Sequence, residues 1–141
     1  MIRIAFAFAA LGLGATAALA QQNPISERQQ VMKTMSSASR DGAAMVRSET
    51  FDQAKAQAIF AIFHDAANKL PNLFPENSKT GETKASPRIW EDPAGFKGEL
   101  AKLSASAEAG AKATDIASFK AAFENIGREC GVCHEAYRVR R

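Results

Sequence analysis

The chain has 141 residues, a formal net charge of +3 at pH 7 and a hydrophobic fraction of 46%. This length suits one domain with a substantial core, so the fold need not depend on disulfide bonds. The basic residues are spread along the chain except for Arg138, Arg140 and Arg141 at its end. Because a nucleic-acid-binding protein needs a broader basic face, we expect no nucleic-acid partner.

The first twenty residues have the pattern of a secretory signal peptide. Arg3 supplies a positive start, residues 4–15 are apolar, and Ala18-Leu19-Ala20 offers small residues before the cleavage point. We therefore predict a signal peptide at 1–20 and a mature domain at 21–141, with no stable membrane insertion after cleavage. A retained membrane anchor is the alternative, but the apolar run is short for a bilayer and rich in Ala and Gly.

The first helix is predicted to begin after Asn23, a good N-cap, with Pro24 at the first helical position. It should end near Arg47. Apolar and small residues recur at alternating spacings of four and three, which indicates a buried helix face: Val31, Met35, Ala38, Gly42 and Met45.

A second helix is predicted from Phe51 to Leu70, capped by Thr50 or Ser48 and stopped by Pro71. Its buried face should consist of Ile59, Ile62, Phe63, Ala66 and Leu70. Residues 71–87 contain three prolines and a glycine, which predicts an ordered loop across the end of the domain. We expect Leu73 and Phe74 to pack inward from this loop, and Pro87-Arg88-Ile89-Trp90 to form a short turn.

The third helix should start at Asp92-Pro93 and end at Gly110 as C-cap, with a buried face at Phe96, Leu100, Leu103 and Ala107. The fourth starts near Thr114-Asp115. Its apolar face has spacings of four, three, four, three and four: Phe119, Phe123, Ile126, Cys130, Cys133 and Tyr137. Four helices with this periodicity predict an all-α fold, an antiparallel up-down four-helix bundle of left-handed twist with a long loop between helices 2 and 3.

The segment Cys130-Gly131-Val132-Cys133-His134 matches the C-x-x-C-H sequence of covalent haem attachment. Two thiols at i and i+3 lie on one side of a helical turn and match the two vinyl groups on one edge of a porphyrin. His134 follows at once, so its imidazole can reach the iron. The alternatives are a disulfide, a thioredoxin-like dithiol or half of a zinc site, although no strand precedes the motif and His64 is the only other histidine.

Taken together, the chain resembles the class II c-type cytochromes, the family of cytochrome c′ and its low-spin relatives. The resemblance covers essentially all of residues 21–141. It rests on Arg28-x-x-x-Met32, on Leu70-Pro71-Asn72-Leu73-Phe74-Pro75, on Ile89-Trp90, and above all on Cys130 to Arg138. It implies one haem c, with its iron, attached to Cys130 and Cys133 and ligated by His134.

The resemblance also assigns roles to residues around the haem. A residue at the position of Met32 faces the distal side of the haem, and in the low-spin branch it is a methionine that binds iron. Arg28 is either a partner of a haem propionate or a solvated charge. Arg138 is expected near the proximal imidazole, and Trp90 to pack against the porphyrin or the core. Met35 and Met45 are assigned to the core, and His64 to the surface.

Two functions follow from the two states of Met32. With Met32 bound, the iron has no open position, which describes a one-electron carrier serving redox partner proteins of a respiratory or photosynthetic chain. With Met32 unbound, the protein is a five-coordinate cytochrome c′ that binds NO or CO at an open distal site. In either case we expect a periplasmic protein that is not an enzyme. Family members often pair through their first two helices, and small residues such as Ala43 and Ala44 would permit a homodimer.

Overall fold

In a computed structural model, residues 23–139 of the chain are described, and they form four long helices and one short helix. The helices are α1 (Pro24–Ser48), α2 (Gln53–Lys69), α3 (Arg88–Glu91), α4 (Pro93–Gly110) and α5 (Ile116–Tyr137). α1, α2, α4 and α5 pack as a four-helix bundle in which consecutive helices are neighbours, which confirms the predicted fold class. The predicted signal peptide lies outside the described residues. Among the helices of residues 23–139, none is long and apolar enough to cross a membrane.

Three of the four long helices begin where their caps predict. The side chain of Asn23 accepts a hydrogen bond from the Ile25 amide at 3.0 Å, and Pro24 occupies the first helical position. Asp92 caps α4 by accepting from the Gly95 amide at 3.0 Å. At α5, Asp115 and Ser118 form a capping box: the Asp115 carboxylate accepts a hydrogen bond from the Ser118 amide, and the Ser118 hydroxyl accepts one from the Asp115 amide. Local capping chemistry therefore sets these boundaries.

The start of α2 differs from the prediction. The helix begins at Gln53 rather than Phe51, and its cap is Asp52 rather than Thr50 or Ser48. The Asp52 carboxylate accepts from the Lys55 amide at 2.9 Å, and a carboxylate at this position also suits the positive end of the helix dipole. Phe51 is thereby left outside the helix, where its ring lies 6.5 Å from that of Phe119.

The end of α4 also differs from the prediction, which placed it one residue too early. Gly110 is still helical, and Ala111 is the C-cap. The glycine is needed for a different reason, since a Cβ at this position would overlap the ring of Phe60. Phe60 is completely buried although it was not among the residues predicted for the core, and it packs edge-on against Phe119 at 5.5 Å.

The helices α1 and α5 meet closely at only one end of their length. At that end Gly42 leaves room for the ring of Phe123, which a Cβ would overlap, and Phe123 stacks on Phe119 at 5.6 Å. Towards the N-terminal end of α1 and the C-terminal end of α5 the two helices line a cavity instead of touching. The bundle is therefore tightly packed at one end and contains a cavity at the other, which is called the hollow end below.

The long loop closes the hollow end, as predicted. It contains two short 3₁₀ turns, at Leu70–Asn72 and Glu76–Ser78, and leads into the single turn of α3. Leu73 is only 7% exposed, and Phe74 packs against the core from a half-buried position. The end of α5 is tied to the same loop, because the Val139 amide donates to the Lys84 carbonyl and the Ser86 amide to the Tyr137 carbonyl.

Candidate functional site

The hollow end of the bundle contains a cavity of about 980 Å³. Such a volume lies at the upper end of the range of about 300–1,000 Å³ that is usual for small-molecule and cofactor sites. α1, α5 and the long loop provide most of the wall, and α2, α3 and α4 complete it. Much of this wall is apolar, including Met32, Met35, Phe63, Phe96, Leu100 and Leu103.

Both cysteines of the motif line this cavity. Cys130 and Cys133 are half-buried, unpaired and one turn apart on α5, so their sulfur atoms belong to the same face of the helix. Burial is the main cause that raises the pKa of both thiols, to about 11 for Cys133, and the nearby carboxylates Glu129 and Glu99 add to it. Both groups are therefore protonated thiols at neutral pH.

This environment argues against two alternatives for the motif. A disulfide oxidoreductase uses a thiol whose pKa is lowered, whereas burial here raises it. A zinc site needs further ligands, and within residues 23–139 no three or more His, Cys, Asp or Glu side chains are grouped to hold a metal ion. Neither alternative therefore fits these two thiols, which lie on the wall of a cavity large enough for a bound group.

The imidazole of His134 lies at the open side of the same cavity. Desolvation lowers the pKa of His134, and the positive charge of Arg138, one helical turn further on, lowers it as well. Both effects favour the neutral ring, which is the form that binds iron. Arg138 itself is exposed, and an isolated bridge pairs it with Ala85. The structure thus brings Arg138 next to the predicted iron ligand.

Two methionines of α1 line the cavity as well. Met32 is half-buried, whereas Met35 is only 7% exposed and belongs to the core cluster, as predicted. Met45, also predicted for the core, is 4% exposed and does not line the cavity. Of the three, only Met32 both lines the cavity and is half-buried rather than buried in the core.

Arg28 lines the cavity and is 4% exposed. Its guanidinium donates four hydrogen bonds to the long loop, to the carbonyls of Leu73 and Ser78 and to the hydroxyls of Ser78 and Thr83, at 2.8–3.0 Å. It also lies 4.6 Å from the centre of the Phe74 ring. All four acceptors are neutral, and within residues 23–139 no carboxylate forms an ion pair with it. A buried cation therefore faces the cavity without a counter-charge.

We expect Arg28→Leu to destabilise the protein by about 3 kcal/mol or more, because it leaves buried oxygens of the long loop without donors. Ser78, which is 1% exposed, would lose the donor to its carbonyl and the donor to its hydroxyl oxygen, while its hydroxyl would still donate to the Pro75 carbonyl. The free energy of unfolding from urea titration measures the effect. The control is Arg40→Leu, because Arg40 is an exposed residue of the same helix whose partner Ser36 is one turn away. Equal, small changes in both variants would contradict the role of Arg28.

Trp90 does not line the cavity but packs against Phe74, which does. Its indole N–H donates to the Phe74 carbonyl at 2.9 Å, and its ring packs edge-on against that of Phe74 at 6.0 Å. A contact between Trp90 and the cofactor stays a prediction. His64 lies on the opposite side of α2, exposed and next to Asp65 and Asn68, as expected for a surface residue.

Two carboxylates of the cavity wall were missed from the sequence. Glu99 of α4 and Glu129 of α5 both line the cavity, although charged residues are not expected there. The periodicity could have indicated Glu129, because it lies three residues after Ile126 and four before Cys133, both on the predicted buried face. Glu99 gave the same signal, because it lies three residues after Phe96 and four before Leu103, both on the predicted buried face of its helix.

The donors and the shape of this site fit a covalently attached haem. Two protonated thiols and an imidazole converge on one apolar cavity, and a thioether and an uncompensated cation line its other walls. Haem presents complementary features, namely two vinyl groups, an iron that accepts imidazole and thioether, a flat apolar face and anionic propionates. The residues present therefore suit this group better than a dithiol or a zinc ion.

Comparison with known proteins points the same way. A family model described as cytochrome C′ matches residues 23–138. A cytochrome c′ from Rhodopseudomonas palustris is 42% identical over 144 residues, with 99% of this chain and 98% of the relative covered. A cytochrome c-556 from the same species is 34% identical, with 98% and 97% covered. A solved structure of cytochrome c′ from Rhodopseudomonas palustris superimposes with a TM-score of 0.80 at 41% identity, covering 86% of this chain and 99% of the other.

Proposed function

Because this chain belongs to the cytochrome c′ family, whose members carry covalently attached haem c, we propose that Cys130 and Cys133 hold the haem and that His134 binds its iron. The observation that supports these assignments is that both thiols and the imidazole line one cavity. The chain is a c-type cytochrome and an electron carrier. When bound, haem supplies an iron that gains and loses one electron. The protein would hold it in a cavity whose wall is largely apolar.

The finer proposal is that Met32 is the second axial ligand. The position of its half-buried thioether on α1, at the wall of the same cavity as His134, supports this. With both axial positions filled by side chains, the electron can move without a change of ligands. A Met/His pair also raises the reduction potential relative to other axial sets. Such a protein is a one-electron carrier for the redox proteins of a respiratory or photosynthetic chain.

A second candidate function is a five-coordinate cytochrome c′ with an open distal side. The higher identity to the relative named cytochrome c′ than to the one named c-556 favours it, and so far it has more support from the comparisons than ligation by Met32. The apolar side chains around Met32, among them Met35, Phe96 and Leu100, would surround a free iron position. Such a pocket accepts small uncharged ligands such as NO or CO.

The absorption spectrum of the purified protein distinguishes the two candidates. Sharp, separate α and β bands are expected for a low-spin centre with Met32 bound. Broad bands with a high-spin charge-transfer feature would reject that ligation and support the open site. A spectrum without any haem bands, from protein expressed with a haem-attachment system, would overturn the proposed function as a whole.

Arg28 is proposed to neutralise a haem propionate. Its buried positive charge has only neutral hydrogen-bond partners, so an anion in the cavity would supply the missing counter-charge. The same four hydrogen bonds fix the long loop over the cavity, and therefore Arg28 would position the haem and its cover together. Arg138 is proposed to act on the proximal side, where its charge adds to the effect of burial in lowering the pKa of His134.

We further propose that residues 1–20 are removed on export and that the mature protein, residues 21–141, is periplasmic. The sequence pattern of the leader supports this, and haem attachment by an export-side machinery would require export. Mass spectrometry of the native protein should give the mass of residues 21–141 plus one haem. A mass that includes residues 1–20 would show that the leader is retained as an anchor.

A further inference from the structure

One half-buried carboxylate next to the attachment motif has no role in the function proposed above. Glu129 directly precedes Cys130 on α5 and lines the cavity. Its Oε1 accepts a hydrogen bond from the Ser106 hydroxyl of α4 at 2.6 Å. Its Oε2 is inaccessible to solvent and, within residues 23–139, is the one buried side-chain oxygen or nitrogen without a hydrogen-bond partner. Such orphaned groups are rare and call for an explanation.

The charges around Glu129 do not cancel. On the facing side of α4, Lys102 is paired with Glu99 at 2.8 Å, so its ammonium is already matched. The pKa of Lys102 is raised chiefly by its hydrogen bond to Glu99, with Glu129 contributing last. Two carboxylates thus share one ammonium, which leaves one negative charge at this wall. The other charged groups that line the cavity are on α1, the long loop and the end of α5: Arg28, Lys33, Glu82, Lys84, His134 and Arg138.

We propose that Glu129 sets the redox equilibrium of the haem by holding this negative charge on the cavity wall, beside the cysteine that attaches the haem. The inference rests on the proposed attachment through Cys130 and Cys133. Reduction adds one electron, delivered by a redox partner, and converts Fe³⁺ to Fe²⁺ without making or breaking a bond. A fixed negative charge in a low-dielectric site favours the more positive, oxidised state. Glu129 therefore lowers the reduction potential.

The test is Glu129→Gln, which removes the charge and keeps an oxygen for the Ser106 hydroxyl. We expect the equilibrium constant for reduction to rise about tenfold, as one charge in a site of effective dielectric about 20 can produce. A tenfold change corresponds to about 59 mV for a one-electron couple. Spectroelectrochemical titration of the holoprotein measures it, at low and at high salt.

Two further variants separate charge from packing. Glu129→Met also removes the charge at similar length and should shift the equilibrium in the same direction. Ser106→Ala removes the hydrogen bond but keeps the charge, so it should leave the equilibrium within about threefold of wild type. The matched surface control is Glu124→Gln on the same helix, because Glu124 is exposed and does not line the cavity. Salt should suppress any effect of that exposed charge but not the effect of Glu129.

Each outcome decides the inference. A reduction equilibrium within twofold of wild type in both Glu129→Gln and Glu129→Met would overturn it. So would a shift that high salt abolishes, or an equal shift in Ser106→Ala. Wild-type protein without covalent haem would instead refute the proposed function, and that result is visible in the spectrum before any potential is measured.

Discussion

No haem should remain on a chain that carries both Cys130→Ala and Cys133→Ala after denaturing electrophoresis. Each thioether forms when a thiol S–H adds across a vinyl double bond, so that sulfur bonds to one carbon and hydrogen to the other. Without either thiol, no covalent link can form. Staining denaturing gels for the peroxidase activity of haem measures the loss, and covalent haem that persists in the double variant would refute the assignment.

The same variant should show what the haem contributes to folding. The cavity of about 980 Å³ lies between α1 and α5 at one end of the bundle, so the empty bundle lacks contacts there. We expect helical circular dichroism to persist while unfolding loses cooperativity. Gly131→Ala is the matched control, because a Cβ at Gly131, between the two cysteines, would meet nothing within 4 Å. That variant should keep its haem and its cooperative transition.

Replacing Met32 by Leu should convert a low-spin spectrum to a high-spin one, lower the reduction potential and open the iron to CO. Leucine preserves apolarity and approximate volume, so the packing cost should stay below about 1.5 kcal/mol. The loss of a thioether ligand therefore dominates the result. Absorption spectra with and without CO, together with a potential titration, measure all three effects.

Met35→Leu and Met45→Leu are the controls and should change none of these properties. Met35 is the stricter control, because it lines the same cavity from the same helix, whereas Met45 does not line it. If wild type is already high-spin and binds CO, the open-site function is the correct one. If Met32→Leu stays low-spin, a different side chain is the ligand, and Met35 is the first to examine because of its position.

Much of the fold could be read from local patterns. Asn23, Asp92 and Asp115 each place a cap and a helix start within a few residues of chain, so neighbouring residues alone determine the result. The predicted start of α2 was wrong, although the information was equally local. Asp52 lies two residues after Thr50 and is the better cap, because its carboxylate accepts from the helix backbone. Phe60 was not predicted for the core although it lies three residues before Phe63, on the same helix face, so local spacing indicates its burial as well. What the sequence does not show is that Gly110, fifty residues away, makes room for its ring.

For the candidate site, too, some features could be predicted from the sequence and others could not. The haem motif is five consecutive residues on one helix, and the sequence by itself determined where the cofactor would attach, because the i, i+3 spacing of the thiols is a local property of a helix. The resemblance to the class II cytochromes, carried by Arg28-x-x-x-Met32, also implied that Met32 faces the haem site, and Met32 does line the cavity. These conclusions need no knowledge of how the helices pack.

Only the tertiary structure decided which partners bind the charged side chains of the cavity wall. Arg28 is bound to partners 45–55 residues away, and Glu129 meets Ser106 across the interface between α4 and α5. The sequence allowed Arg28 to be a solvated charge and gave Glu129 no role. A charged side chain is buried only when distant segments supply its hydrogen-bond partners, and helix periodicity does not encode which segments these are. Packing of the whole bundle makes that choice.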